Sequence, residues 1–101
     1  MDAPETEEEI RARVRIPKKR DREVLGTVEG MMGANHIMVR CMDGVTRMGR
    51  IPGKMRKRIW VRQGDVVIMR PWAFEDGKAD VVWRYTQPQV DWLRRNGFMS
   101  S

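Results

Sequence analysis

The sequence predicts an all-β fold, a small five-stranded barrel followed by a C-terminal α-helix. Three observations carry this. From Glu23 onward the chain consists of short apolar runs of strand length separated by Gly, Asp and Asn turn signals. The first run contains Gly26 and Gly30, where missing side chains let a strand coil sharply around a narrow barrel. Between the third and fourth runs lies a basic stretch, Lys54-Met55-Arg56-Lys57-Arg58, too charged for a strand and too short for an independent helix. At 101 residues there is room for one domain and one core.

The elements follow in order. Residues 1–22 read as a flexible arm, acidic then basic, with too few apolar side chains to offset its ordering entropy and with Pro17 interrupting any helix. Residues 23–85 read as the barrel. Its first strand spans about Val24 to Met32, and Gly33-Ala34-Asn35 turns the chain. In the second, Ile37, Val39 and Cys41 alternate with Met38, Arg40 and Met42, giving one small apolar face and one that presents a positive charge. Asp43-Gly44 is a two-residue hairpin signal into a third strand, Val45 to Ile51. Pro52-Gly53 ends it and opens a loop or a single helical turn. Arg62-Gln63-Gly64-Asp65 turns into the fourth strand, Val66 to Arg70, and the loop Glu75-Asp76-Gly77-Lys78 leads to the fifth, about Ala79 to Tyr85. Five short strands with irregular material between the third and fourth is the order of the OB-fold, although a sandwich fragment shares the pattern. Residues 86–101 read as helix and tail: Thr86 or Gln87 as cap, Pro88 in the first turn, Asp91 early, Arg94 and Arg95 late, and Gly97 to close, with Val90, Leu93 and Trp92 on an inner face directed at the barrel.

Twenty Lys and Arg against fourteen Asp and Glu leave a net charge of +6, which points to a polyanionic partner. No apolar stretch approaches the ~20 residues of a membrane span, and the start, with Asp2, Glu5, Glu7, Glu8 and Glu9, is not a signal-peptide n-region. The single cysteine, Cys41, forms no internal disulfide, and nine methionines are an oxidative liability outside the cell. A soluble protein of the reducing cytoplasm, without membrane attachment, is expected.

The charge is local. Residues 40–62 hold eight bases (Arg40, Arg47, Arg50, Lys54, Arg56, Lys57, Arg58, Arg62) and one acid, Asp43, a local charge of +7 that exceeds the total. A solvated face mixes its signs; a one-sign field on strands two and three of an OB barrel is where such folds bind oligonucleotides. The loop at Glu75 and Asp76 carries acids and is expected to add little affinity. Arg47 and Arg50 have opposite parity and face opposite sides unless Gly49 marks a bulge. Trp72, Trp83 and Tyr85 lie in apolar patterns and read as core, whereas Trp60 directly follows the basic loop and is a candidate stacking surface. His36 beside Asn35 is within reach of a phosphate or base, with a plain turn histidine the simpler reading.

No catalytic signature survives. Gly44 and Gly49 have the glycine spacing of a phosphate loop, but Arg50-Ile51 stand where that motif needs Lys and Ser or Thr. His36 and Cys41 are single and distant, so no metal set forms, and the one histidine has no nucleophile partner. Neither enzymatic activity nor a cofactor is expected.

The blocks Met31-Met32-Gly33-Ala34-Asn35, Val39-Arg40-Cys41-Met42-Asp43-Gly44, Arg47 to Trp60 (RMGRIPGKMRKRIW) and Gly64-Asp65-Val66-Val67-Ile68, in this order, closely resemble the translation initiation factor 1A family over about residues 22–98. The Gly-Lys-Met-Arg-Lys run recurs in its bacterial counterpart, initiation factor one. Trp83-Arg84-Tyr85-Thr86 and Val90-Asp91-Trp92-Leu93 look like the archaeal form. The resemblance implies an S1-like OB-fold monomer that binds the small ribosomal subunit at the A site through ribosomal RNA, and that assists initiator tRNA placement and start-site selection beside other initiation factors. It implies RNA contacts at Arg40, Arg47, Arg50, Lys54, Arg56, Lys57, Arg58, Trp60 and Arg62, with Gly33, Asn35 and His36 beside them. The chain departs from the eukaryotic branch in lacking a long acidic C-terminal tail, so docking of the subunit-joining GTPase through such a tail does not carry over. Two other readings compete: a single-stranded RNA chaperone of the cold-shock kind, which would favour exposed aromatics on its strands, and an adaptor whose basic face meets an acidic protein.

Overall fold

The computed structural model describes residues 14–33, 35–53 and 61–99, which fall into two units: 17–84, and a second comprising 14–16 and 85–99. The expected turn or helix between the third and fourth strands lies at residues 54–60, outside the described residues.

The first unit is a closed barrel of strands β1 (Val24–Met31), β2 (His36–Cys41), β3 (Thr46–Arg50), β4 (Val66–Trp72) and β5 (Glu75–Arg84), in the order β1-β2-β3-β5-β4. All neighbours are antiparallel except β3 and β5, which run parallel. This is the OB-fold arrangement. The inward residues Val28, Ile37, Val39, Val67, Met69, Ala79 and Val81 form one core with Cys41, Ile51 and Val61. Each fully buried Val or Ile contributes about 1.5–3 kcal/mol relative to exposure. The barrel is narrow, and two glycines make it so. A Cβ on Gly26 would lie 2.3 Å from Val39 Cγ1, and one on Gly49 would lie 2.6 Å from Met69 Cε. Gly30 has a different use: it follows Glu29 at the register shift between Val28 and Gly30, where β1 bends.

Two turns differ from expectation. The Asp43-Gly44 signal makes a three-residue loop, Met42-Asp43-Gly44, between the bonded pair Cys41 and Val45; Gly44, at φ 88°, takes the left-handed position and donates to the Cys41 carbonyl at 3.0 Å. The loop expected at residues 75–78 belongs to β5, and the chain reverses instead at Ala73-Phe74, between the paired Trp72 and Glu75. The register with β4 jumps here: Pro71 faces Ala79 and Trp72 faces Glu75, so Asp76, Gly77 and Lys78 bulge away from β4. Lys78 pairs with Met48 of β3 instead. The Asp-Gly signal therefore marks a bulge through which β5 leaves one neighbour and closes the barrel on another.

Lys18–Arg22, read above as the end of the arm, form a tight turn that includes a 3₁₀ segment, Lys19–Asp21. The buried carboxylate of Glu23 holds it, accepting from the Lys18 N–H at 3.1 Å and from Arg70 Nη2 at 3.0 Å.

In the second unit, helix α1 (Gln87–Arg95) begins at Thr86, whose N–H donates to Gln89 Oε1 at 2.9 Å, with Pro88 in the first turn. It ends in a Schellman motif: Gly97, at φ 79°, donates to Arg94 and Phe98 to Leu93, while the Phe98 ring stacks on Trp92 at 5.6 Å. Val90, Trp92 and Leu93 are buried, and the Tyr85 hydroxyl donates to the Arg15 carbonyl. No helix among the described residues is long and apolar enough to cross a membrane.

Candidate nucleic-acid interface

Because β2 and β3 pair in unbroken register, alternate residues of both strands share a face. Outward lie three cross-strand pairs: His36 with Arg50, Met38 with Met48, and Arg40 with Thr46. Beside them are Thr27 and Gly30 of β1 and Lys78 and Asp80 of β5. The Arg40 side chain is 72% exposed and sits 3.4 Å from Glu29; that of Arg50 is 56% exposed and bonds Asp80 at 3.1 Å. Exposed pairs of this kind contribute about 0–1 kcal/mol, so an incoming phosphate can displace either carboxylate at little cost.

The turn ahead of β2 supports this face. Gly33 is exposed at φ 124°, the Asn35 carbonyl accepts from the Ile51 N–H at 2.7 Å, and the His36 carbonyl accepts from Met32 at 2.8 Å. Arg62 is exposed but stands off the ladder, in a turn whose Gly64 N–H is tied to Val28 of β1 at 2.8 Å. Its own N–H donates to Asp65 Oδ2 at 2.8 Å. Lys54, Arg56, Lys57, Arg58 and Trp60 lie outside the described residues.

Arg47 corrects the sequence reading. There is no bulge at Gly49, so Arg47 keeps inward parity opposite Val39 and its side chain is 3% exposed. Asp43 takes it in a fork, Nη1 to Oδ1 at 3.1 Å and Nη2 to Oδ2 at 2.9 Å, while Nε donates to the Asp76 carbonyl at 2.7 Å and Nη2 to the Asp76 carboxylate at 3.0 Å. The bidentate geometry is the strong form of this bond. It holds the Asp43 carboxyl below its ordinary value, chiefly through the hydrogen bond from Arg47, and holds the guanidinium charged. Burial pushes the neighbouring Cys41 thiol up. Arg47 thus ties the β2–β3 turn to the β5 bulge and is not presented to a partner.

Aromatic placement also differs from expectation. Trp83 is exposed rather than core, and Trp72 is half-buried, with Arg50 Cζ 5.8 Å and Lys78 Nζ 5.6 Å from its ring centroid. At the hairpin tip Phe74 is fully exposed. Phe74 went unnoticed because the reversal was expected three residues later. Trp72 and Phe74 border a groove of about 580 Å³ whose walls also include Arg22, Arg50, Arg70 and Asp80.

Comparisons with known proteins agree with this architecture. The family model described as Translation initiation factor 1A / IF-1 matches residues 9–101. The chain is 58% identical to translation initiation factor 1A 1 of Methanosarcina mazei over 97 residues, covering 96% of this chain and 86% of that protein. It is 60% identical to translation initiation factor 1A of Archaeoglobus fulgidus over 87 residues, covering 86% and 90%. The solution structure of translation initiation factor one from the Wolbachia endosymbiont of Brugia malayi is similar at a TM-score of 0.51 and 21% identity, over 67% of this chain and 82% of that one, a likeness that speaks to the fold alone. With a family model spanning nearly the whole chain and archaeal relatives well above half identical, the chain belongs to the Translation initiation factor 1A / IF-1 family, a non-enzymatic family with a ribosome-associated role.

Proposed function

We propose that the chain binds the small ribosomal subunit at the decoding A site through ribosomal RNA, as a cytoplasmic monomer, and there assists initiator tRNA placement and start-site selection with other initiation factors. One observation carries the reading: His36, Arg40 and Arg50 stand on a single outer face, and the ion pairs of both arginines are with part-exposed, replaceable carboxylates. The Gly33–His36 turn and Arg62 extend this surface, and Lys54, Arg56, Lys57, Arg58 and Trp60 add to it on the strength of their sequence. Arg47 is left out because it is buried. The basic half of residues 1–22 supplies accessory phosphate contacts. The ladder carries His36, Met38 and Met48 where a general single-strand binder would carry stacking rings, so this face suits phosphate contacts more than stacked bases.

The test is the salt dependence of binding to purified small subunits. If about five phosphates are neutralised, log affinity falls against log salt with a slope of roughly −3.5 to −4.5. Replacing Arg56, Lys57 and Arg58 together with Ala should lower that slope by about three units and leave the melting temperature unchanged. A slope near zero in the unaltered protein would overturn the reading.

A further inference from the structure

We propose that the groove beneath the β4–β5 hairpin receives an unstacked RNA base, with Phe74 as its stacking surface. This rests on the RNA-binding reading above and reverses the expectation that this side of the barrel adds little affinity.

Four observations converge. Phe74 is fully exposed at a two-residue reversal, so a large apolar ring stands in water with nothing among the described residues covering it. Such rings bury about 150–250 Å² when they find a partner. Next to it, Trp72 is braced by Arg50 and Lys78 over its ring, so the wall behind Phe74 is held in place. The charge of the groove is balanced, Arg22, Arg50 and Arg70 against Asp21, Glu75 and Asp80. A phosphate would seek an excess of cations; a neutral heterocycle, with donors and acceptors along its edge and a π face, matches a balanced set of charged walls and an aromatic ring. The volume, about 580 Å³, falls in the roughly 300–1,000 Å³ range of small-molecule sites.

Arg50 decides between RNA and protein as the occupant. It lines the groove and also stands on the outer β2–β3 face opposite His36. A strand whose phosphates lie along that face passes Arg50 and can turn one base into the groove, so the two sites form a continuous path for one polynucleotide. A protein segment has no such reason to bridge them. Within the groove, Arg70 is fixed by the buried carboxylate of Glu23, so that edge is oriented before any ligand arrives, while the exposed Arg50–Asp80 pair opens to give Arg50 to a phosphate and Asp80 to the base.

The experiment compares the full chain with its Phe74→Ala, Phe74→Trp and Arg40→Ala variants, using purified small subunits and a single-stranded adenosine hexamer as probes. Phe74 makes no buried contact, so Phe74→Ala should melt like the unaltered protein. It should bind both probes about 5- to 100-fold more weakly, the range of one lost stacked base, with an unchanged salt slope because no phosphate contact is removed. Phe74→Trp should restore binding, and Arg40→Ala should lower the slope by about one unit. If Phe74→Ala binds both probes normally while Arg40→Ala weakens them, the base site is wrong and the RNA reading stands. If Phe74→Ala weakens only subunit binding, the hairpin meets a protein and the base site is wrong. If the unaltered protein binds neither probe, both proposals fall together.

Discussion

Arg47 and Arg50 lie three residues apart on β3, yet one closes the barrel and the other faces outward. Arg47 has inward parity, opposite Val39, and reaches the end of the barrel where the β2–β3 turn supplies Asp43 and the β5 bulge supplies Asp76. Arg50 has outward parity, opposite His36, where it pairs with the part-exposed Asp80 and lies over the Trp72 ring. The difference teaches that a basic residue in a barrel strand is assigned by two things, its parity and the number of acids the fold brings to it. A local charge count sees neither.

The largest effect should come from breaking the inner set. Arg47→Ala removes the link between two turns and leaves Asp43 and Asp76 facing each other without their cation. Breaking a buried pair costs about 3–5 kcal/mol; because the Asp43 side chain is 42% exposed and Asp76 is 60% exposed, water offsets part of this and about 2–3 kcal/mol is expected. At roughly 4–8 °C per kcal/mol for a domain of this size, the melting temperature should fall by about 10–20 °C. A variant that melts normally but loses subunit binding would return Arg47 to the RNA surface.

A purely steric change inside the same barrel shows whether that loss is electrostatic or only a sign of tight packing. Gly26→Ala places a methyl group 2.3 Å from Val39 Cγ1 and 3.2 Å from the Arg40 carbonyl oxygen. Val is stiff at χ1 and the backbone cannot yield cheaply, so about 1–3 kcal/mol of stability should go. The loss should be the same at pH 4 and pH 7, because no titrating group is touched. A cost that varies with pH would mean that the strain is relayed to the Asp43–Arg47 set.

How much of this was legible in the sequence follows from the range of each interaction. Period-two alternation placed Ile37, Val39 and Cys41 inside because side-chain parity is a local property of a strand. The helix ends were readable at Pro88 and Gly97 for the same reason, since caps are made by near neighbours. What failed was non-local. Asp76-Gly77 carries a genuine turn signal, but pairing with β3 at Lys78 recruits it into a strand and moves the reversal to Ala73-Phe74. That shift brings Asp76 to Arg47 and leaves Phe74 exposed, so one misplaced turn hid both the inner lock and the aromatic groove. The acids opposite Arg40 and Arg50, Glu29 and Asp80, lie on other strands and were equally invisible.

On the outer face the expected change is in binding alone. Replacing Arg40 and Arg50 together with Ala should lower the slope of log affinity against log salt by about two units. Their ion pairs are exposed and each contributes about 0–1 kcal/mol, so the double variant should lose less than about 2 kcal/mol of stability. Affinity for small subunits measured across a salt series, beside thermal melts, separates the two. A large loss of stability would show that these pairs brace the barrel as Arg47 does, and the contrast between the two regions would collapse.

The smallest effect is also the most diagnostic, because it reads the inner set through pH. The Asp43 carboxyl is held below its ordinary value of 3.8, first by the hydrogen bond from Arg47. A carboxyl with a folded pKa below its unfolded one binds its proton more readily when the chain unfolds. Its contribution is therefore fully present above the unfolded value and is lost as pH falls through the folded one. The melting temperature of the unaltered protein should accordingly drop on acidification below about pH 4, and Asp43→Asn, which cannot titrate, should drop less over the same interval while starting lower at neutral pH. Asp80→Asn is the matched control, since it removes the acid from the exposed pair with Arg50, where about 0–1 kcal/mol is at stake, and its acid limb should follow that of the unaltered protein. If instead Asp80→Asn flattens the acid limb and Asp43→Asn does not, the strong arginine pair is on the outside of the barrel, and the roles given to Arg47 and Arg50 must be exchanged.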